Sequence, residues 1–366
     1  MARPPGWHHD LSPATRWVLA HGCATDLDPP DAVLDDDAWA QLRVEARAHG
    51  LEGLLVDAVA TEAMRASPTQ ADELAELEID LTRTRLWQER QLVAVVDLVE
   101  RAGVAVRVLK GLAVATLDYP DPQMRPTGDV DLLVRAEDLE RAGRAITAAG
   151  GTRIDPDPRP GYASVVGKGA TYQTAAGEID LHRLLVWGPL GVRLDPHLLW
   201  ARSRSFTIGE RHLATLSRED TLLHACCHLL VLGARRARQL RDVAQLIGHP
   251  DLDAEEVLVR AHQWGVEAVL ATAVVLTARE LRLRLDDELS EWAVGYAPRW
   301  RDRLWLRVER PGQPVAGLEA AATFVELPTR QARLEMVRAT LRPAPGTWPR
   351  PTERVLGFTR RVVGDR

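Results

Sequence analysis

The sequence predicts an α+β fold: a small mixed sheet near the middle of the chain, flanked by an N-terminal helical segment and a C-terminal helical domain. Apolar residues recur near helical spacing before residue 103 and again after Ser217. Between them lie apolar or alternating runs of strand length, punctuated by Gly and Pro. With 366 residues the chain can hold two or three structural units and bury a sizeable core. The expected divisions are 1–103, 104–216 and 217–366.

Residues 1–34 are Pro-rich, with one short helix expected around 14–21. Asp36-Asp37-Ala38-Trp39 starts a helix ending near Gly50, and 51–64 reads as a second. A third, longer helix spans about 69–102, with Leu74, Ile79, Leu86, Leu92, Val95 and Val96 among its apolar positions. This helical front is expected to cover one side of the sheet. Residues 104–109 form the first strand, 111–117 a helix, 129–134 the second strand, and 136–149 a helix stopped by Gly150-Gly151. Residues 119–127 contain three prolines and cannot continue a helix. Segments 163–167 and 171–175 read as a hairpin about Lys168-Gly169, because Gly-Lys-Gly is a turn signal. A further strand follows at 178–185, a short helix at 196–202, and one or two short strands within 206–216. Ser217-Arg218-Glu219-Asp220 resembles a capping start. Helices are then expected at about 218–233, 236–247, 253–263, 266–282, 286–293 and 328–341, with weaker signals at 297–310 and 315–325. Arg342-Pro343-Ala344-Pro345-Gly346 breaks the pattern, and the basic end, 351–366, reads as a last helix.

The chemistry is concentrated in the middle. In Gly128-Asp129-Val130-Asp131-Leu132-Leu133-Val134, strand alternation puts Asp129 and Asp131 on one face and Val130, Leu132 and Val134 on the other. Adjacent carboxylates repel unless a cation lies between them, and Mg²⁺ is the cation that takes oxygen ligands and bridges to phosphate. Glu178-Ile179-Asp180-Leu181-His182 alternates in the same way. If the two strands pair, Asp180 joins Asp129 and Asp131, and three carboxylates suit a two-metal site for phosphoryl or nucleotidyl transfer. The plainer alternative is an acidic pair that merely opens a solvated strand. Upstream, an apolar strand runs into Lys110-Gly111 and then a helix. Glycine permits a sharp turn and close backbone approach, free helix-start amides favour an anion, and Lys110 adds a point charge. That order makes a phosphate cradle followed by a metal site.

The run LKGLAVATLDYPDPQMRPTGDVDLLVRAEDLERA resembles the signature of the uncharacterised bacterial nucleotidyltransferase family within the polymerase-beta-like superfamily, and EIDLH resembles its third-acid strand. Weaker likenesses are LLHACCHLL, LRDVAQLI and LRPAPGTWPR. The resemblance implies a nucleotidyltransferase core in which Asp129, Asp131 and Asp180 hold the metals, with Lys110 and Gly111 at the nucleotide phosphates. Lys110-Gly111 stands where the superfamily usually has Gly-Ser or Gly-Gly. His228 aligns with a recurrent histidine of the family.

Around that core, lysine occurs only as Lys110 and Lys168, both beside glycine, where a compact ammonium suits phosphate. Arg125, on the Pro-rich loop leading into Asp129, can reach a phosphate or remain a solvated loop charge. Of the cluster Arg235, Arg236, Arg238 and Arg241, one arginine, represented by Arg238, can reach the nucleotide or acceptor; an i,i+4 pair of Arg238 with Asp242 is the structural alternative. His182 either orients a carboxylate, acts as a base or packs. His224 and His228 share a helical face, a spacing zinc can use, but no third ligand is evident. Trp187 can stack on a base or pack.

Composition excludes several classes. A hydrophobic content of 46% with 27% charged residues fits an ordinary globular protein. The net charge of −6 gives no basic bias towards long nucleic acid. No apolar run approaches the ~18 residues of a membrane span, and the N-terminus lacks a signal-peptide pattern, so cytoplasmic residence is expected. Cys23, Cys226 and Cys227 make no disulfide framework. The expected activity is metal-dependent transfer of a nucleoside monophosphate from an NTP, with two Mg²⁺ ions, to a hydroxyl on a small molecule, sugar or peptide. A glycosyltransferase using a nucleotide sugar and a non-catalytic nucleotide-binding module are the alternatives.

Overall fold

A computed structural model describes residues 11–341 apart from 156, 158, 176, 195, 234, 235, 285, 301, 304, 305 and 307–315. Arg235, the break at 342–346, the last basic segment, the LRPAPGTWPR likeness beyond Leu341 and half of 297–310 lie outside the described residues. The helical lead-in is α1 (Pro13–Ala20), α2 (Asp36–His49), α3 (Glu52–Ala60) and α4 (Pro68–Arg101). The central unit is β1 (Arg107–Leu109), α5 (Gly111–Asp118), β2 (Val130–Leu133), α6 (Leu139–Ala148), β3 (Thr152–Arg153), α7 (Tyr162–Val165), β4 (Gly169–Thr174), β5 (Gly177–His182), α8 (Gly188–Arg193), α9 (Pro196–Ala201), β6 (Arg204–Ile208) and β7 (Arg211–Thr215). Then come α10 (Arg218–Leu232), α11 (Arg238–Ile247), α12 (Ala254–Trp264), α13 (Glu267–Leu281), α14 (Glu288–Gly295), α15 (Ala316–Glu326) and α16 (Arg330–Leu341). The fold is α+β, as the sequence predicts.

Helix boundaries follow local chemistry. Ser67 accepts from the Gln70 amide while the Gln70 side chain accepts from the Ser67 amide, with Pro68 at the first helical position, so α4 begins on a complete capping box. Ser217 caps α10 by accepting from Asp220 N at 3.2 Å.

The strands form one mixed sheet in the order β3-β4-β5-β2-β1-β7-β6. β2 pairs with β5 in parallel and with β1 antiparallel. The register sets Leu109 beside Asp131 and Asp131 beside Asp180. Alternation then divides the sheet. Val108, Leu132, Ile179 and Leu181 pack with Leu92, Val95, Val96 and Val99 of α4 and with Leu139, Ala142 and Ile146 of α6. Leu109 and Leu133, on the opposite face, join a second core with α10, α11 and α13. The three-layer sandwich of helix, sheet and helix leaves Asp131, Asp180 and His182 on the face turned towards α10 and α11.

Two expectations need correction. The helical front does not cover the sheet as a unit. Only the second half of α4 lies on it, while Trp17, Leu19, Leu42, Leu54 and Leu55 of α1–α3 share a core with Leu223, Leu240 and Leu270 of the later helices. Ile79 and Leu86, counted as apolar positions of α4, are 52% and 54% exposed. The hairpin is also misplaced. Residues 162–165 are helical, and the hairpin is β4–β5, turning at Gly177 with φ +112°. Gly169 is a glycine for a different reason: a Cβ there would lie 1.8 Å from the Leu181 carbonyl oxygen. It marks close strand approach rather than a turn.

Candidate active site

The turn between β1 and α5 is held in an uncommon conformation. Lys110 has φ +46° and ψ −138°, and Gly111 has φ +37°. A positive φ costs little at glycine but is sparsely populated by lysine, so the surroundings must hold it. Among the described residues no side chain caps α5, which leaves its first amides to meet an anion. β2 then carries Asp129 at its lip and Asp131 within it, and β5 brings Asp180 into register beside Asp131.

Asp131 is the buried centre, its side chain 2% exposed. Its Oδ1 lies 3.0 Å from Lys110 Nζ and 2.7 Å from His182 Nε2. Burial alone would raise the Asp131 carboxyl, but Lys110 and His182 overcome that and hold it well below the ordinary value. Burial pushes the His182 imidazole down to about 4, so the neutral ring donates from Nε2 to Asp131. Its Nδ1 has no hydrogen-bond partner among the described residues. Of the three readings of His182, orienting a carboxylate is the one this geometry matches. Asp180 Oδ1 accepts from the Thr171 hydroxyl at 2.6 Å. Thr171 stands directly across from Asp180 in β4, a pairing visible only once the hairpin register is known.

Asp129 is exposed at the cleft, and its carboxyl is raised, above all by the neighbouring Asp131 charge, with Asp180 adding to it. The acids thus keep unneutralised negative charge despite Lys110. Lys168 also faces them. Burial and then the Lys110 charge lower its ammonium, while Asp131, Asp180 and Asp129 oppose that. Ligand atoms of Asp131, Asp180 and His182 lie within 4.8 Å of one another. Crowded carboxylate oxygens with a raised neighbour are a donor set that fits a divalent cation. Asp129 stands outside that tightest set but beside it.

A cleft of about 460 Å³ runs from these acids to α10 and α11. Lys110, Gly111, Asp129, Asp131 and Glu178 line one side; His224, His228, Arg238, Gln239 and Asp242 line the other. Arg125 reaches the cleft but is only 6% exposed. Its guanidinium grips Asp242 with Nε to Oδ1 at 2.7 Å and Nη2 to Oδ2 at 2.8 Å, and donates from Nη1 to the Gly111 carbonyl at 3.0 Å. Tyr119 Oη donates to the same Asp242 at 2.8 Å. Asp242, which burial alone would raise, is held below its ordinary value by Arg125 first and then Arg238. The structural pairing expected for Arg238 therefore belongs to Arg125. Arg238 Nη1 instead donates to the Pro126 carbonyl. Arg241 is 1% exposed and donates to carbonyls at the end of α1, while Arg236 is exposed at the cleft.

His224 Nε2 contacts the Leu185 carbonyl at 3.1 Å and His228 Nδ1 contacts Gln239 Nε2 at 3.2 Å. Neither belongs to a group of three close metal-ligating side chains among the described residues. Trp187 is 54% exposed and does not line the cleft. Sequence reasoning missed Thr171, Tyr119, Asp242 as the partner of Arg125, and Gln88, whose amide brackets Thr127 through both its oxygen and nitrogen.

An acid-bearing pair of parallel strands beside a lysine-glycine turn at a helix start is a layout suited to handling phosphate-linked groups. The particular class follows from the whole sequence. The model of the family described as "Uncharacterised nucleotidyltransferase" matches residues 35–282, more than half of the chain, which belongs to that family and is a nucleotidyltransferase. The glycosyltransferase and binding-module alternatives are accordingly not favoured. No curated protein matches the chain. Solved structures align with part of it, two of which are as follows. The antibiotic-resistance factor ANT(2'')-Ia, determined in solution, is 17% identical with a TM-score of 0.33, over 52% of this chain and 96% of that one. An antigenic nucleotidyltransferase-like protein from Paracoccidioides brasiliensis is 14% identical with a TM-score of 0.32, over 54% of this chain and 92% of that one. Among the described residues, no helix is long and apolar enough to cross a membrane.

Proposed function

We propose that the chain transfers a nucleoside monophosphate from an NTP to a hydroxyl-bearing small molecule, sugar or peptide, in a polymerase-beta-like manner dependent on divalent metal. The observation that carries this reading is the register of β2 and β5, which sets Asp131 beside Asp180 with Asp129 and the Lys110-Gly111 turn adjoining. Asp129, Asp131 and Asp180 would hold the metal, taken as a pair of Mg²⁺ ions, with His182 orienting Asp131. When bound, that metal supplies neutralisation of the phosphates and polarisation of the acceptor hydroxyl. Lys110, the free amides from Gly111 onward and Lys168 receive the triphosphate. The acceptor oxygen bonds to the α-phosphorus as the bond to the bridging oxygen of the β-phosphate breaks. The electron pair leaves on pyrophosphate, and the hydroxyl proton passes to Asp180, whose other side is fixed by Thr171.

Residues 104–216 are the catalytic unit in this reading, with 1–103 and 217–366 flanking it and a cytoplasmic setting supplying NTP. The test is incubation of purified protein with each NTP, Mg²⁺ and a cell extract, following pyrophosphate release and the mass of the modified acceptor. A nucleoside monophosphate adduct supports the reading; a hexose adduct, or release unchanged in Asp129→Asn, refutes it.

A further inference from the structure

The sequence offers Arg125 as a phosphate ligand or a solvated loop charge, yet its hydrogen-bonding capacity is largely spent within the protein. A guanidinium carries five N–H donors. Three of them go to Asp242 and to the Gly111 carbonyl, and only 6% of the residue is exposed. The contact with Gly111 has a geometric consequence. The peptide unit is planar, so fixing the carbonyl of Gly111 also fixes the direction of the Leu112 N–H on its other side. That N–H is one of the uncapped amides at the start of α5. The two residues on the sheet side of this peptide, Lys110 and Gly111, are the ones with positive φ.

The anchor for Arg125 comes from across the cleft. Asp242 is on α11, only 14% exposed, and is itself steadied by Tyr119 Oη at 2.8 Å. The loop between Arg125 and Asp129 is tied from both sides: Arg238 of α11 donates to Pro126, and Gln88 of α4 holds Thr127. A residue that only filled space would not need a bidentate carboxylate and a backbone carbonyl on the same fork.

We propose that Arg125 is a positioning residue, clamped by Asp242 of α11, whose grip on the Gly111 carbonyl sets the Lys110-Gly111 turn and the first α5 amides to receive the polyphosphate of the nucleotide. This rests on the function proposed above and extends it. The C-terminal helices do more than wall the cleft, since α11 determines through one ion pair the geometry of a cradle built by the sheet. Lysine at position 125 would keep the charge but lose the fork that reaches three acceptors.

The experiment uses inorganic tripolyphosphate with Mg²⁺ as a base-independent probe, measured by calorimetry on the full chain, with Mg²⁺ alone and the melting temperature recorded alongside. The wild type is expected to bind the probe. Arg125→Ala and Asp242→Asn are expected to bind it about 10- to 100-fold more weakly, the loss of a charge-assisted contact. Binding of Mg²⁺ alone should stay unchanged, and Arg125→Lys should fall between. Millimolar guanidinium is expected to restore probe binding to Arg125→Ala without restoring it to Asp242→Asn. Wild-type affinity in both variants overturns the assignment. So does weakening that guanidinium leaves uncorrected in a folded Arg125→Ala, or failure of both variants to fold, each of which makes the pair a structural brace only. A wild type that does not bind the probe refutes the proposed function itself, and so separates that failure from a failure of the positioning role.

Discussion

Replacing Lys110 with methionine should move two affinities in opposite directions. Lys110 Nζ sits 3.0 Å from Asp131 Oδ1, the oxygen that also takes His182 Nε2 at 2.7 Å. The lysine is a built-in cation on a residue that would ligate metal. At an effective dielectric of about 20, an ion pair at that separation attracts with roughly 5–6 kcal/mol. Most of this is offset by desolvation of two groups that are 19% and 2% exposed. A net stabilisation of about 1–2 kcal/mol is what an incoming cation must displace. Lys110→Met removes that competition and a positive charge, so Mg²⁺ alone should bind about 5- to 30-fold more tightly. The same change deletes the phosphate partner proposed above, so Mg²⁺-tripolyphosphate should bind about tenfold or more weakly. Titration calorimetry with the metal alone and then with the complex reads both. Metal affinity that is unchanged or falls, or polyphosphate affinity that does not fall, would refute the view that Lys110 exchanges Asp131 for the nucleotide.

Further outcomes can be checked separately. Asp131→Asn should lower turnover by about 10³-fold or more, read as pyrophosphate release, because the buried centre loses its charge; activity near wild type would contradict its placement. Gly169→Ala should cost about 3 kcal/mol in denaturant unfolding, since the new Cβ meets the Leu181 carbonyl at 1.8 Å and backbone must shift. Arg241→Met should cost about 3–5 kcal/mol, because carbonyls of Leu19 and His21 lose their buried donor; a loss under about 1 kcal/mol would show that water replaces it. His228 is held neutral, its imidazole pushed down to about 3 by burial first and then by Lys110. The unfolded chain takes up that proton below about 6.5 and the native one does not, so stability falls as pH drops from about 6.5 towards 3, by about 1.4 kcal/mol per pH unit for this one group. His228→Gln should flatten that part of the profile by the same amount, seen in urea midpoints between pH 7 and 4; an unaltered slope would place the proton elsewhere.

The local parts of this fold were legible because their causes are local. The capping box at Ser67, the Ser217 cap and the alternation of β2 and β5 are written in neighbouring residues, and the structure places these elements within a few positions of expectation. The pairing of Asp131 with Asp180 was inferred from two matching alternations, and the register has it. Non-local effects were not visible. Gly169 read as a turn because nothing in the chain near it reveals that Leu181 passes so close. Arg125 reads equally as a phosphate ligand or a solvated loop charge, because its partner, Asp242, lies far along the chain and helical spacing offers Arg238 as the alternative mate. Lys110 reads as a phosphate partner, and its contact with Asp131 arises only because β1 and β2 lie side by side.

The shared core of α1–α3 with α10–α14 bears on how the chain comes to be made. As synthesis proceeds, Trp17, Leu19, Leu42 and Leu54 emerge first, but the partners that cover them, such as Leu223, Leu240 and Leu270, emerge more than a hundred and fifty residues later. During translation those early helices can pack on one another and on α4, but the part of their apolar surface that meets α10–α14 stays uncovered, while the sheet can already close on the second half of α4. The layer of sheet and α4 can therefore pack before the N-terminal core is complete, and that core closes once α10–α14 have emerged.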